Sequence, residues 1–326
     1  MTVKRAVQAL LFLAGAGLLI ALIARTDTEK LWQRVSAAGG FFAWACVAYV
    51  ATTMATAAAW QSLMKRKARP GYPVLFAAHF CGESVNFVLP AGAPGEVAKA
   101  AILRDRVAPG ELAISLTMYN WLEGLVIFAV VMVSAAYALV AMDVPRSVPL
   151  ATLATAATLI VVTAALRFAL RRSAMRPVLR ALSKLPFLRF DPERASDRVA
   201  ELDRRIRALW QEDRGRLLRV LAYMCLARLC AIVEVLVLLW GLMPDRDRVW
   251  LVELAVLVQA ASQVLQYAAL VVPGQIGAIE AGTAGVFAML GLGGWLGLAL
   301  ELLRRGRKLL AIAVAIPLWA VAKRRT

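Results

Sequence analysis

The stretch that decides the fold reads HFCGESVNFVLPAGAPGEVAKAAILR and runs from His79 to Arg104. It predicts an apolar helix that breaks at Pro90 and Pro94, because proline removes a backbone donor and clashes with the preceding turn. In hydrocarbon, a broken helix is tolerated only where protein buries it or where it lines a wet cavity. The residues in and beside the break are therefore candidates for a binding site. They are Glu83, Asn86, Pro90, Gly95, Glu96 and Lys99.

A second interruption, LVVPGQIGAIEAG, runs from Leu270 to Gly282. Hydrophobic segments interrupted by glycine and proline, one in each half of a chain, are typical of transporter sites near the middle of the membrane. Glu96 and Glu280 each fall near the start of the half-helix after a break. A carboxylate there either caps the helix or belongs to the site. The candidates at the second break are Pro273, Gly274, Gln275, Gly277 and Glu280.

The composition indicates a helical membrane protein. Hydrophobic residues make up 61% of the 326 residues and the mean hydropathy is +0.69, whereas soluble domains are nearer half apolar. We therefore predict an all-α polytopic integral membrane protein, a single transmembrane domain with about six full spans and two re-entrant broken-helix hairpins at 74–106 and 249–292. The hairpins open to opposite sides, which predicts an inverted repeat of 1–166 and 217–326. A cytoplasmic basic, amphipathic segment at 167–216 joins the halves.

The basic residues follow the membrane topology. With a cytoplasmic N-terminus, the inner segments hold about 27 of the 38 Lys and Arg residues and the outer loops about six. This asymmetry predicts that both termini are cytoplasmic. It also accounts for the net charge of +17 without a nucleic-acid partner. We therefore expect membrane lipids, and no nucleic acid, as partners.

The sequence carries no recognisable catalytic set. We find no phosphate-binding loop, no Cys/His metal cluster and no Ser/His/Asp arrangement, and His79 is the single histidine. We therefore predict a protein that is not an enzyme and that holds no cofactor or metal. Ionisable residues inside apolar segments are functional candidates by default. They add Glu123, Arg304 and Arg305 to the site, and we expect Glu280 to pair with Arg304 or Arg305.

At its two breaks the chain resembles the flippase-like transmembrane family named for bacterial lysylphosphatidylglycerol synthases. The first family motif is matched by Asn86, Leu89, Pro90, Gly95 and Glu96, with Lys99 where arginine is usual. The second is matched by Pro273, Gly274, Gly277 and Glu280, with Gln275 in place of the middle glycine. The strings GESVNFVLP and LLRRGRKLL resemble most closely the branch associated with hopanoid biosynthesis. The chain as given ends at Thr326, so we expect no aminoacyl-transferase domain to follow.

The resemblance implies translocation or handling of an amphipathic or anionic lipid at the bacterial inner membrane. The two breaks would line a groove in which Lys99 and Arg304 or Arg305 meet the lipid head. The alternative is a membrane-embedded enzyme or accessory subunit of lipid modification, which would turn over lipid in micelles. A third possibility is a scaffold that docks a soluble lipid-modifying enzyme through 191–216.

We predict that neither hairpin tip crosses the bilayer. Single cysteines at Ala91 and Ile276, in a background without the native cysteines, should resist an impermeant maleimide added from the far side of the membrane. Labelling of Ala91 from the periplasm, or of Ile276 from the cytoplasm, would contradict the re-entrant topology.

Overall fold

The computed structural model describes residues 3–24, 26–88, 94–142, 145–147, 150–154, 157, 214–269 and 272–324. The segment predicted at 167–216 lies outside this part of the chain except for its last three residues. Pro90 and the other residues of 89–93 also lie outside it. Within the described residues every regular element is a helix, so the prediction of an all-α protein is confirmed.

Ten α-helices follow one another along the described chain, numbered here in order. They are α1 (Val3–Ala24), α2 (Thr28–Ala37), α3 (Gly39–Leu63), α4 (Tyr72–Val88), α5 (Pro94–Leu103), α6 (Pro109–Ala141), α7 (Arg214–Leu242), α8 (Arg248–Ala268), α9 (Ala278–Met289) and α10 (Gly294–Arg324). The two predicted breaks fall between α4 and α5 and between α8 and α9.

The first break places two helix backbones against each other. Pro94 begins α5, where its missing N–H costs nothing. The Asn86 side chain accepts a hydrogen bond of 2.8 Å from the Gly95 N–H and so satisfies a free donor at the new helix start. A Cβ atom on Gly95 would overlap the Gly82 carbonyl and the Asn86 side chain. Glycine is therefore required for α4 and α5 to approach this closely.

The second break turns through left-handed backbone. Gly274, Gln275 and Gly277 have φ angles of 62°, 54° and 78°. Such angles favour glycine, and they occur around a short 3₁₀ turn at Pro273–Gln275. A Cβ atom on Gly277 would overlap the Gly15 carbonyl, because α1 packs directly on this break.

Helices α3 and α7 form the most extensive helix pair and run antiparallel. Gly241 near the end of α7 packs on Ala38 at the start of α3. Midway, the Thr52 hydroxyl lies 3.5 Å from the Ala227 carbonyl oxygen. Arg216 at the start of α7 donates to backbone carbonyls at the end of α3. Because α3 and α7 hold corresponding places before the two breaks, their opposite directions are those required by an inverted repeat.

Two further helix contacts correspond to each other in the two halves of the chain. Helix α4 packs on α10, where the Ser84 hydroxyl lies 3.4 Å from the Ala311 carbonyl oxygen. Helix α8, which follows α7 as α4 follows α3, packs on α6, where the Tyr137 hydroxyl donates to Glu253 over 2.8 Å. A helix of the first half, α4, thus packs on the last helix, and the corresponding helix of the second half, α8, packs on α6.

Four described helices are long and apolar enough to cross a membrane: α3, α6, α7 and α8. Helix α8 has 21 residues, or about 32 Å at 1.5 Å per residue. Helix α8 is therefore long enough to cross the membrane, whereas α9 has only 12 residues. The re-entrant placement of the second tip stays a prediction, as does the count of six full spans.

Replacing Gly277 by alanine should destabilise the protein. The left-handed backbone alone costs an L-residue about 1–2 kcal/mol, and the overlap with Gly15 adds to this cost. Thermal unfolding in detergent should show a lower midpoint for Gly277→Ala. Gly285→Ala is the matched control, because Gly285 lies in α9 with open space around it. Equal midpoints for the two variants would contradict both the left-handed backbone at Gly277 and the packing of α1 on the break.

Candidate functional site

A polar cavity of about 520 Å³ lies between the two halves of the bundle. Its walls come from both sides of the repeat: α3, α4, α5 and α6, and α7, α8 and α10. Five carboxylates line it: Glu83, Glu96, Glu123, Glu234 and Glu301. Four cations line it: Arg228, Arg304, Arg307 and Lys308. Such a density of charge among apolar helices indicates a binding site, because each buried charge is expensive without a partner.

At the first break, one lysine forms ion pairs with two carboxylates. Lys99 Nζ lies 2.9 Å from Glu83 Oε1 and 3.1 Å from Glu96 Oε1. The Lys99 side chain is only 1% exposed and lies behind the cavity wall. Glu96 Oε2 is buried and has no hydrogen-bond partner among the described residues. With all three groups ionised, this cluster carries one net negative charge.

The single histidine lies beside this cluster. His79 lies in the middle of α4 and is only 1% exposed, so its ring is fully buried. Its Nε2 atom is 2.9 Å from the Thr56 hydroxyl, whereas Nδ1 has no partner within the described chain. His79 therefore contributes one free polar atom to the cavity wall.

At the second break, Glu280 has two roles at once. One carboxylate oxygen accepts the Gly277 N–H over 2.8 Å and closes the start of α9. The other contacts the guanidinium of Arg305 on α10. The sequence left open whether Glu280 pairs with Arg304 or Arg305, and the structure selects Arg305. Neither Glu280 nor Arg305 lines the polar cavity, so this pair fastens the break to α10.

Arg304 donates to protein groups through both terminal nitrogens, whereas its Nε has no hydrogen-bond partner among the described residues. Its guanidinium donates to Glu301 at 2.9 Å, to Ser262 at 3.1 Å and to Gln259 at 3.2 Å. It also lies 3.8 Å from Glu234. Although Arg304 lines the cavity, its donors are directed at α8 and at its own helix.

The sequence candidates divide between the cavity and its frame. Those that line the cavity are Glu83, Asn86, Glu96, Glu123, Gln275 and Arg304. Those that shape its surroundings are Gly95, Lys99, Pro273, Gly274, Gly277, Glu280 and Arg305. Pro90 lies outside the described residues.

Five charged residues of the cavity were not among the candidates: Arg228, Glu234, Glu301, Arg307 and Lys308. Arg228 Nη2 pairs with Glu123 Oε1 at 3.1 Å, and Arg307 Nε pairs with Glu234 Oε1 at 2.9 Å. Lys308 lines the cavity and lies 5.4 Å from the Phe87 ring centre. The spacing of 304, 307 and 308 would have placed these three on one face of α10, since residues three and four apart are helix neighbours.

A comparison with known protein families shows which family the chain belongs to. The sequence profile described as the lysylphosphatidylglycerol synthase TM region matches residues 7–316. The chain belongs to this family. Searches for similar curated proteins and for similar solved structures found no match. Membership makes the chain a multi-pass membrane protein involved in lipid handling, and the hopanoid-associated branch stays a prediction.

The family motif departs from its usual form at Gln275, and the structure shows what replaces the glycine. Gln275 has a φ angle of 54°, which is unfavourable for a residue with a Cβ atom. Its side-chain amide donates to the Gln266 carbonyl at 3.0 Å, near the end of α8. A helix end leaves such carbonyls without intrahelical donors. The hydrogen bond therefore offsets part of the backbone strain and ties the turn to α8.

We predict that Glu280 and Arg305 are energetically coupled. Removing one partner of a buried pair costs about 3–5 kcal/mol because it strands the other charge. Arg305→Gln strands Glu280, which is only 2% exposed, so we expect the upper end of that range. Glu280→Gln strands Arg305, which is 26% exposed, so we expect the lower end, and we expect a smaller loss for the double variant. Thermal and denaturant unfolding of the four proteins would measure the coupling. If the stability lost in the double variant equals the sum of the losses in the two single variants, Glu280 acts only as a helix cap.

Proposed function

We propose that this protein moves an amphipathic lipid between the leaflets of the bacterial inner membrane. The observation that carries the proposal is the charged cavity enclosed by helices from both halves of an apolar bundle. A lipid headgroup crossing hydrocarbon must give up its hydration, at a cost of several kcal/mol for a charged group. A cavity lined with carboxylates, guanidinium groups and amides offers replacement partners along the way.

The matched packing of the two halves supports this mechanism. In transporters built from inverted repeats, the site lies at the repeat interface, and rocking of one half against the other exposes it to alternate sides. Here Glu83, Asn86 and Glu96 of the first half line the same cavity as Gln266 and Gln275 of the second. A headgroup held between the two breaks would therefore contact both moving parts.

The roles of the charged residues follow from their geometry. Lys99 holds Glu83 and Glu96 in position at the first break. The Arg228–Glu123 pair and the Arg307–Glu234 pair supply charges that a headgroup can engage by exchanging one partner for another. Such exchange avoids leaving an isolated charge in the membrane interior.

The test is translocation in sealed liposomes. Purified protein should speed the movement of NBD-labelled phosphatidylglycerol between leaflets, measured by dithionite quenching. Glu96→Gln should slow this movement about tenfold, equivalent to ~1.4 kcal/mol in the barrier. It keeps one oxygen to accept from Lys99 and removes only the charge.

Glu253→Gln is the matched control, since Glu253 bonds Tyr137 between α6 and α8 and does not line the cavity. Movement no faster than in protein-free liposomes would overturn the proposal. Chemical conversion of the lipid by the protein in detergent micelles would instead favour an enzyme of lipid modification.

A further inference from the structure

A second cavity, of about 420 Å³, lies beside the first and differs from it in character. It is an apolar groove between α3, α4 and α10. The walls are formed mainly by Val50, Phe76, Phe80, Leu310, Val314 and Leu318. Val50, Leu310 and Val314 are 40%, 50% and 55% exposed, so the groove is open along one side of the bundle. In a membrane this side faces lipid chains.

The groove and the polar cavity meet at two residues, Tyr49 and Arg307, which line both. The Arg307 guanidinium lies 4.0 Å from the Tyr49 ring centre. Its Nε atom pairs with Glu234 on the polar side. Its Nη1 atom is buried and has no hydrogen-bond partner in the described part of the chain, and the whole residue is only 6% exposed. A buried guanidinium with a free donor at such a junction indicates a missing anionic ligand.

Lys308 adds a second available cation at the same place. It follows Arg307 directly, lines the polar cavity, and has no carboxylate partner among the residues that the structure describes. The neighbouring Arg304 and Arg305 are occupied by Glu301 and Glu280. Positive charge is therefore in excess on α10 next to the groove, whereas it is deficient at the Lys99 cluster.

The groove also has a direction. Arg307 lies near the middle of the 31-residue helix α10, about 20 Å from its start. The groove continues from there through Leu310 and Val314 to Leu318, toward the basic C-terminus. At that end it is closed by Phe76, one turn into α4 and just after the basic loop at 64–70. The C-terminal end of α10 and the start of α4 both lie on the cytoplasmic side of the membrane, by the distribution of basic residues.

We propose that the groove holds the hydrocarbon chain of a lipid from the cytoplasmic leaflet, whose anionic headgroup binds Arg307 and Lys308. This inference rests on the proposed function and names its substrate class as a lipid with a phosphate-type head. The free Nη1 donor and the unpaired ammonium fit two oxygens of such a head. The apolar walls fit the chain attached to it. Arg304 and Arg305 instead hold the frame.

The test uses a phosphatidylglycerol analogue with a diazirine midway along one acyl chain, incorporated into nanodiscs with the intact protein. After illumination, mass spectrometry locates the adducts. We expect labelling at Leu310, Val314 and Leu318 to exceed labelling at Ile316, which is 68% exposed and lies outside the groove. Unlabelled phosphatidylglycerol should compete several-fold better than phosphatidylcholine.

Two variants with matched controls sharpen the test. Lys308→Gln should reduce groove labelling about fivefold and abolish the preference for phosphatidylglycerol. Lys308→Arg keeps the positive charge and should retain both the labelling and the preference. Val314→Trp should fill the groove and reduce labelling, whereas Ile316→Trp, a change of equal size on the same helix, should not. Labelling at Ile316 serves as the internal standard for ordinary membrane contact.

The outcomes separate this inference from the function on which it rests. If groove labelling is unchanged by Lys308→Gln and is the same for different lipid headgroups, the proposed site is overturned, even if translocation proceeds. Protection of the groove by a second copy of the chain would also overturn it. Labelling as expected without translocation in liposomes would support the lipid site and contradict the transport function.

Discussion

Buried charge is the constraint on which the rest of this structure depends. Each ionised group that leaves water for the membrane interior costs several kcal/mol unless an opposite charge and hydrogen bonds replace its hydration. The pairs Glu123–Arg228 and Glu234–Arg307 join α6 to α7 and α7 to α10. Charges that would be intolerable singly thus become bonds between helices, and they hold open a polar space that apolar side chains alone would fill.

The sequence was most informative where the backbone is unusual. Prolines and glycines located both breaks, and the resemblance at those motifs identified the family that the sequence profile later showed. The partners of the buried charges were less accessible. Helical spacing places 304, 307 and 308 on one face, but the pairing of Arg307 with Glu234 depends on α7, more than sixty residues earlier.

The polar cavity and the apolar groove together are complementary to the proposed lipid substrate, which neither space matches alone. A lipid has a charged head and a hydrocarbon chain, and the two spaces meet at Tyr49 and Arg307. The capping contacts at the breaks serve the same arrangement from a distance. Asn86 and Glu280 satisfy the free N–H groups of the new helix starts, so the cavity walls keep their shape without offering those donors to the ligand.

The antiparallel contact of α3 with α7 has a mechanical consequence. Two halves that rock against each other, as the proposed mechanism requires, move least along the seam where they pack most extensively. The contact between Thr52 and Ala227 lies midway along that seam, where small residues let the helices approach closely. The seam would therefore act as a fulcrum, and the distance of each cavity residue from it would set how far that residue travels as the two halves tilt.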